Sequence, residues 1–153
     1  MNQAEISASL NANRPPVWHL FDAVVTHING PHFDAPEPIA HMGYTVGADF
    51  CHSEVVVQGG IVAAMLDSTM TCALFGHFLS AQPVQQVRPP TLEFKVSFLK
   101  AALLGDFQAI GKARRVGRTV AFLEGDLFQS DVLVATATMT SQLAFVEAEK
   151  HTL

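Results

Sequence analysis

Asp67 is the only charged residue between Val55 and Val87, set in the run Gln58-Gly-Gly-Ile-Val-Ala-Ala-Met-Leu-Asp-Ser-Thr-Met-Thr-Cys-Ala-Leu-Phe75. A carboxylate flanked by so much apolar surface gives up water on folding, which is unfavourable unless hydrogen bonds or a chemical task offset it. Such a group is a candidate acid, base or nucleophile. The pair Gly59-Gly60 stands where a helix would begin, so its N–H groups lie near the positive end of the dipole and can face developing negative charge. Thr71, one turn beyond Asp67 on the same face, is placed to hold a water. Each residue also has a plainer role. Asp67 could cap a shorter helix starting at Ser68, Gly-Gly could let a helix approach a sheet, and Thr71 could bond to its own preceding turn.

The elements that would position these groups follow from periodicity. Residues 61–79 are rich in Ala, Met and Leu and apolar on nearly every side, which predicts a helix wrapped by other structure. From Thr91 the period changes: Leu92, Phe94, Val96 and Phe98 alternate with Thr91, Glu93, Lys95 and Ser97, the pattern of a half-buried strand over 91–100. Further strands are expected at 106–116, 119–129 and 133–145, separated by Gly105, Val116-Gly117-Arg118 and Ser130-Asp131. Residues 42–50 read as a strand that 55–57 extends. Earlier residues carry weaker signals: 1–16 read as a mobile polar leader, 17–26 as a short helix and 27–38, with Asn29-Gly30 and three prolines, as a loop. A buried helix followed by an antiparallel meander implies a sheet curled round that helix, an α+β fold.

Composition narrows the function classes. At 153 residues the chain suits one core, with a leader and loop over 1–38, the domain over 39–146 and a tail over 147–153. Hydrophobic residues make up 49%, more apolar surface than a lone domain of this size hides, so self-association is expected. A net charge of -5 without a basic stripe disfavours nucleic acid as a partner. Residues 60–79 could span a bilayer by length, but Asp67, Ser68, Thr69, Thr71 and His77 interrupt them, so no membrane partner is expected. The first ten residues have neither a basic flank nor an apolar run, and the two cysteines fit a reduced pair, so the expectation is a cytoplasmic protein. His27, His32 and Asp34, with His19 or His41 folding back, match no standard zinc spacing, and no metal is expected.

Gln58-Gly59-Gly60, Asp67 nine residues after Gln58, Thr91 opening Leu-Glu-Phe-Lys-Val-Ser-Phe-Leu-Lys-Ala, Gly105 and Val116-Gly117-Arg118 together resemble the hotdog-fold acyl-CoA thioesterases, in particular the phenylacetic acid degradation (PaaI-type) subgroup. The resemblance covers roughly residues 42–145. It implies a hotdog fold, an antiparallel sheet wrapped around a long central helix, with subunits joined edge to edge as a dimer or a dimer of dimers and sites at their interface. It implies hydrolysis of an acyl-CoA with no cofactor beyond the coenzyme A of the substrate.

By that resemblance Asp67 is the base or nucleophile, Gly59 is the foremost oxyanion donor and Gly60 lies beside the substrate. The family carries His before Gly-Gly and Asn or Gln six residues earlier, where this chain has Gln58 and His52. Both can donate a hydrogen bond and could orient the thioester carbonyl. Arg114, Arg115 and Arg118 around Gly117 offer guanidinium forks to the phosphates of coenzyme A. Met70 and Leu74, with Phe33 and Phe75, would face an apolar or aromatic acyl group. Two other readings stand beside this one: a hotdog hydratase or dehydratase using His52 and Asp67, and a non-catalytic acyl-CoA-binding protein.

Overall fold

The computed structural model describes residues 1–31, 33, 35–81 and 85–147. The helices are α1 (Gln3–Ala12), α2 (Pro16–Leu20) and α3 (Gly59–Ala81). The strands are β1 (Val24–Asn29), β2 (Ile39–Val46), β3 (Gln85–Arg88), β4 (Thr91–Phe98), β5 (Gly105–Val116), β6 (Val120–Gln129), β7 (Val132–Gln142) and β8 (Ala144–Glu147). Six strands form one antiparallel sheet in the order β1-β2-β5-β6-β7-β4, and β3 pairs with β8 separately. With α3 packed across this sheet, the architecture is the α+β hotdog fold.

The sheet receives the helix in a trough of small residues. Ala40, Gly111, Gly125 and Ala137 stand in one row across β2, β5, β6 and β7. A Cβ on Gly111 would lie 2.6 Å from the carbonyl oxygen of Thr69 and 2.8 Å from Cα of Met70, and one on Gly125 would press on Met70 and Leu66. Side chains in that row would lift the helix off the sheet. A second tie is polar: the Tyr44 hydroxyl lies 2.8 Å from the carbonyl oxygen of Met65 and 2.6 Å from Oγ1 of Thr69, which itself donates to Met65 at 2.8 Å. Burial pushes the Tyr44 hydroxyl's pKa well up, so it stays a donor.

α3 begins at Gly59, with Ile61 N–H and Val62 N–H donating to the carbonyl of Gln58. Asp67 is therefore mid-helix and caps nothing. By length and composition Gly59–Leu79 could cross a membrane, yet half of its most apolar window is buried inside the fold, as a core helix requires.

The expected strands 106–116 and 119–129 match β5 and β6 within a residue. The strand read over 133–145 breaks at Leu143 into β7 and β8, and the one read over 42–50 runs instead from Ile39 to Val46 before a 3-10 turn at Ala48–Phe50. Residues 55–57 make only isolated bridges, Val56 to Leu103 and Val57 to Cys51.

The N-terminus differs from the expectation. Residues 1–16, expected as a mobile leader, contain α1, whose capping box between Asn2 and Glu5 closes its first turn and whose Ile6 is fully buried. Residues 24–29, read as helix end and loop, are an edge strand of the same sheet, so a domain boundary at 39 would cut between its first two strands. On that edge the Asn11 side chain acts as a short piece of strand. Its Nδ2 donates to Val25 O at 2.9 Å and its Oδ1 accepts from Val25 N at 2.8 Å. Asn11→Ala leaves both groups without their partner, and a loss of about 1–2 kcal/mol is expected in urea denaturation.

Candidate active site

Asp67 is half-buried near the middle of α3, and its Oδ1 accepts a 2.9 Å hydrogen bond from the hydroxyl of Thr91 at the start of β4. Among the described residues its carboxylate has no ion pair, and Oδ2 has no hydrogen-bond partner. One oxygen is thus fixed while the other is left to take a proton or attack. Thr91 is a contributor the sequence reading named only as a strand opener. It lies 24 residues from Asp67 in the chain, and no local spacing links them. Thr71 sits half-buried one turn on, and its hydroxyl makes no bond to the preceding turn among the described residues, unlike that of Thr69.

Gly59 and Gly60 occupy the first turn of α3, where N–H groups lack intrahelical partners. Neither N–H has an acceptor among the described residues. Gly60 is exposed, and a Cβ there would meet nothing within 4 Å; a Cβ on Gly59 would come 3.2 Å from the ring of Phe98, at the far end of β4. Gly59 and Phe98 line a groove of about 450 Å³ with His52, Val56, Val62, Lys100, Ala102 and Val134 among its other walls.

Asp67 and Gly59 are not brought together within the chain. Eight residues of helix separate them by about 12 Å. An attacked carbonyl spans roughly 7 Å from a direct nucleophile to the oxyanion donor, or roughly 9 Å with a water interposed. β4 confirms the separation, since Asp67 touches its first residue and Gly59 its last.

Other expected residues fall in different places. His52 is exposed and lines the groove without touching Asp67. Gln58 is exposed and supplies the helix-capping carbonyl. Met70 and Leu74 are fully buried, Met70 against Gly125, and both pack within the core between α3 and the sheet.

Arg114 is engaged elsewhere. It donates to Glu124 at 2.7 Å and to Glu37 at 2.9 and 3.0 Å, and these two acceptors raise its pKa. A guanidinium held between two carboxylates is a poor phosphate ligand. Arg115 and Arg118 are exposed and carry no ion pair among the described residues. Gly117 makes their turn possible, because a Cβ would lie 2.8 Å from Val120 O.

His27 and His41 face each other across β1 and β2 with ring centroids 5.3 Å apart. Burial, then the charges of His27 and Lys112, lowers the pKa of His41. His32 and Asp34 lie outside the described residues, and among the described residues no three His, Cys, Asp or Glu side chains cluster as metal ligands. Cys51 and Cys72 are unbridged, and burial pushes the Cys72 thiol up to about 12, which leaves it inert.

The sequence profile described as the thioesterase superfamily matches residues 56–136. Among solved structures, a phenylacetic acid degradation-related protein of Ralstonia eutropha JMP134 is 28% identical, with a TM-score of 0.72 over 90% of this chain and 98% of its own. The Escherichia coli PaaI protein from the phenylacetic acid degradation operon superposes with a TM-score of 0.75 at 14% identity, over 92% and 93% of the two chains. A thioesterase family protein of Silicibacter pomeroyi does so with 0.74 at 21% identity, over 93% and 97%. No protein of curated description matches the sequence.

Proposed function

Since this chain belongs to the thioesterase superfamily, we propose that it hydrolyses the thioester of an acyl-CoA with an apolar or aromatic acyl group, in a site completed by a second copy of itself. The observation that carries this reading is the Thr91–Asp67 hydrogen bond, which orients a carboxylate whose other oxygen has no partner among the described residues. Asp67 attacks the thioester carbonyl or removes a proton from the attacking water, with Thr71 beside it to hold that water. The N–H groups of Gly59 and Gly60 receive the oxyanion. His52 and Gln58, exposed on either side of the bridged turn before α3, orient the carbonyl. Arg115 and Arg118 remain for the phosphates of the nucleotide. Half-buried Phe33 and Phe75, in place of Met70 and Leu74, supply apolar surface for the acyl group. The reaction needs no metal or redox group, and a cytoplasmic setting suits its substrate.

The second copy follows from β4. Among the described residues this strand pairs only with β7 and nothing pairs with its outer side, and Leu92 and Phe98 on it are each 58% exposed. Apolar side chains on an open edge favour addition of another strand. If two β4 strands meet antiparallel about a twofold axis, Phe98 and Gly59 of one protomer come beside Thr91 and Asp67 of its partner. That arrangement brings together the two groups that one helix keeps apart.

Subunit mixing tests it. Gly59→Pro removes the N–H at a position where proline suits a helix, and Asp67→Asn removes the carboxylate. Each variant alone is expected to be nearly inactive towards phenylacetyl-CoA. Unfolding and refolding them together should recover about a quarter of the wild-type thiol release, because half of random dimers are mixed and each carries one intact site. No recovery, from a mixture shown to exchange subunits, would overturn the composite site.

A further inference from the structure

The pairing of β1 with β2 shifts register between Val25 and His27, so two successive side chains, Thr26 and His27, stay exposed between the buried Val25 and Ile28. A bulge of this kind re-aims a side chain. Here it sets His27 opposite His41, with ring centroids 5.3 Å apart and planes at 89°. His41 alternates with the buried Ala40 and Met42, so it stands on the sheet face turned away from α3. Lys112 of β5 joins them, paired with Ile39 two residues along β2 from His41. Among the described residues none of these three bases has an ion pair. The groups around His41 do not compensate them. Thr26 donates its hydroxyl to the carbonyl of His41, and Gln108 and Ile110 are its neighbours on β5. Beyond them on β6, Asp126 accepts from Thr136 at 2.9 Å and Glu124 accepts from Arg114 at 2.7 Å. Asp22, Asp106 and Asp131 share a cleft of about 750 Å³ with His41, where Asp22 pairs with Arg14 and Asp106 accepts from Thr45.

We propose that the His27–His41 pair is an acid-sensitive latch: with neutral rings it holds β1 on β2, and protonation beside Lys112 releases β1 together with α1 and bares the edge of β2. The inference stands apart from the thioesterase reading. Like charges directly opposite each other on paired strands are destabilising, and protonated histidine clusters open contacts in this way. Burial, then the charges of His27 and Lys112, holds the pKa of His41 below its ordinary 6.5. A base that is harder to protonate in the folded chain gives stability that is present above pH 6.5 and is lost as pH falls below it. The strand on which this loss acts lies at the edge of the sheet. Its outer margin is held by Asn11, and Gln3 donates to Asn29 at 2.8 Å, so α1 and β1 are tied into one unit. Against α3 that unit rests Ile28 on Gly76.

Amide hydrogen exchange of the whole chain, followed by mass spectrometry at about pH 7.5 and about pH 5.5 and corrected for intrinsic exchange, tests the latch. Peptides over β1 report on it, and peptides over β6 are the internal control. On acidification the protection of β1 is expected to fall about tenfold more than that of β6. His27→Gln and His41→Gln, whose new side chains do not titrate, should each shrink that difference to about twofold or less. Lys112→Glu should do the same by giving the imidazolium rings a carboxylate. His41 is half-buried and its variant can fail to fold; His27 is exposed, so His27→Gln and Lys112→Glu then decide. Equal losses in β1 and β6, or none in either, would overturn the proposal. So would a loss specific to β1 that persists undiminished in His27→Gln or in Lys112→Glu.

Discussion

Asp67→Asn is expected to lower kcat for thioester hydrolysis by about a thousandfold while leaving KM and the melting temperature nearly as they were. The asparagine has the same shape, and its carbonyl oxygen can still accept from the Thr91 hydroxyl, so the local packing of α3 on β4 survives. It can neither take a proton from water nor form an acyl anhydride. Free-thiol release from phenylacetyl-CoA in purified protein measures the effect, with binding of the unhydrolysed substrate as the control. Retention of more than about a tenth of the rate would remove Asp67 from the chemistry. Single turnover in oxygen-18 water then tests for direct attack, since water that cleaves the mixed anhydride at the aspartyl carbonyl leaves its label in the protein's own carboxylate, which general-base catalysis never does.

The largest loss of stability is expected at Gly111→Ala. The added Cβ would meet three backbone atoms of α3, Thr69 O at 2.6 Å, Thr69 C at 2.7 Å and Met70 Cα at 2.8 Å. A side chain could rotate away, but a helix backbone must move as a unit. It can do so only by disturbing Leu66 and Met70 above Gly125 and the Tyr44–Met65–Thr69 bonds. Overpacking of this kind costs about 1–3 kcal/mol and occasionally more, and about 3 kcal/mol is expected here. Gly60→Ala is the contrast, because nothing lies within 4 Å of its Cβ and alanine favours a helix, so a change of about +0.5 kcal/mol or none is expected. Urea midpoints for the two variants provide the measurement. Equal midpoints would mean that the helix does not sit in the trough.

Residues that announce their own environment were readable without the fold. The apolar run of α3, the alternation of β4 and the hairpin turns of β5 to β7 each carry a local period or turn signal, and each was placed within a few residues. Ser130 and Asp131 adopt positive φ of 47° and 63°, as a two-residue hairpin turn between β6 and β7 requires. The N-terminus carries local signals of the same kind. Asn2 and Glu5 have the spacing of a capping box, and Val24-Val25-Thr26 is β-branched.

What the sequence could not show is contact between distant segments. Thr91 meets Asp67 only when β4 crosses α3, and Met70 and Leu74 pass into the core only when sheet and helix close over them. Arg114 resembled its neighbours in the chain until Glu37, 77 residues away, arrived beside it.

The paired hydrogen bonds from Asn11 to Val25 also bear on how far this sheet can grow. An antiparallel sheet with two bare margins could add molecules at both ends and run on into a fibre. Here one margin is stoppered by a side chain from α1, so the pairing proposed through the other would satisfy two molecules at once and leave nothing for a third. Asn11→Ala would reopen that margin, and slow polymerisation of an otherwise folded protein would be its long-term signature.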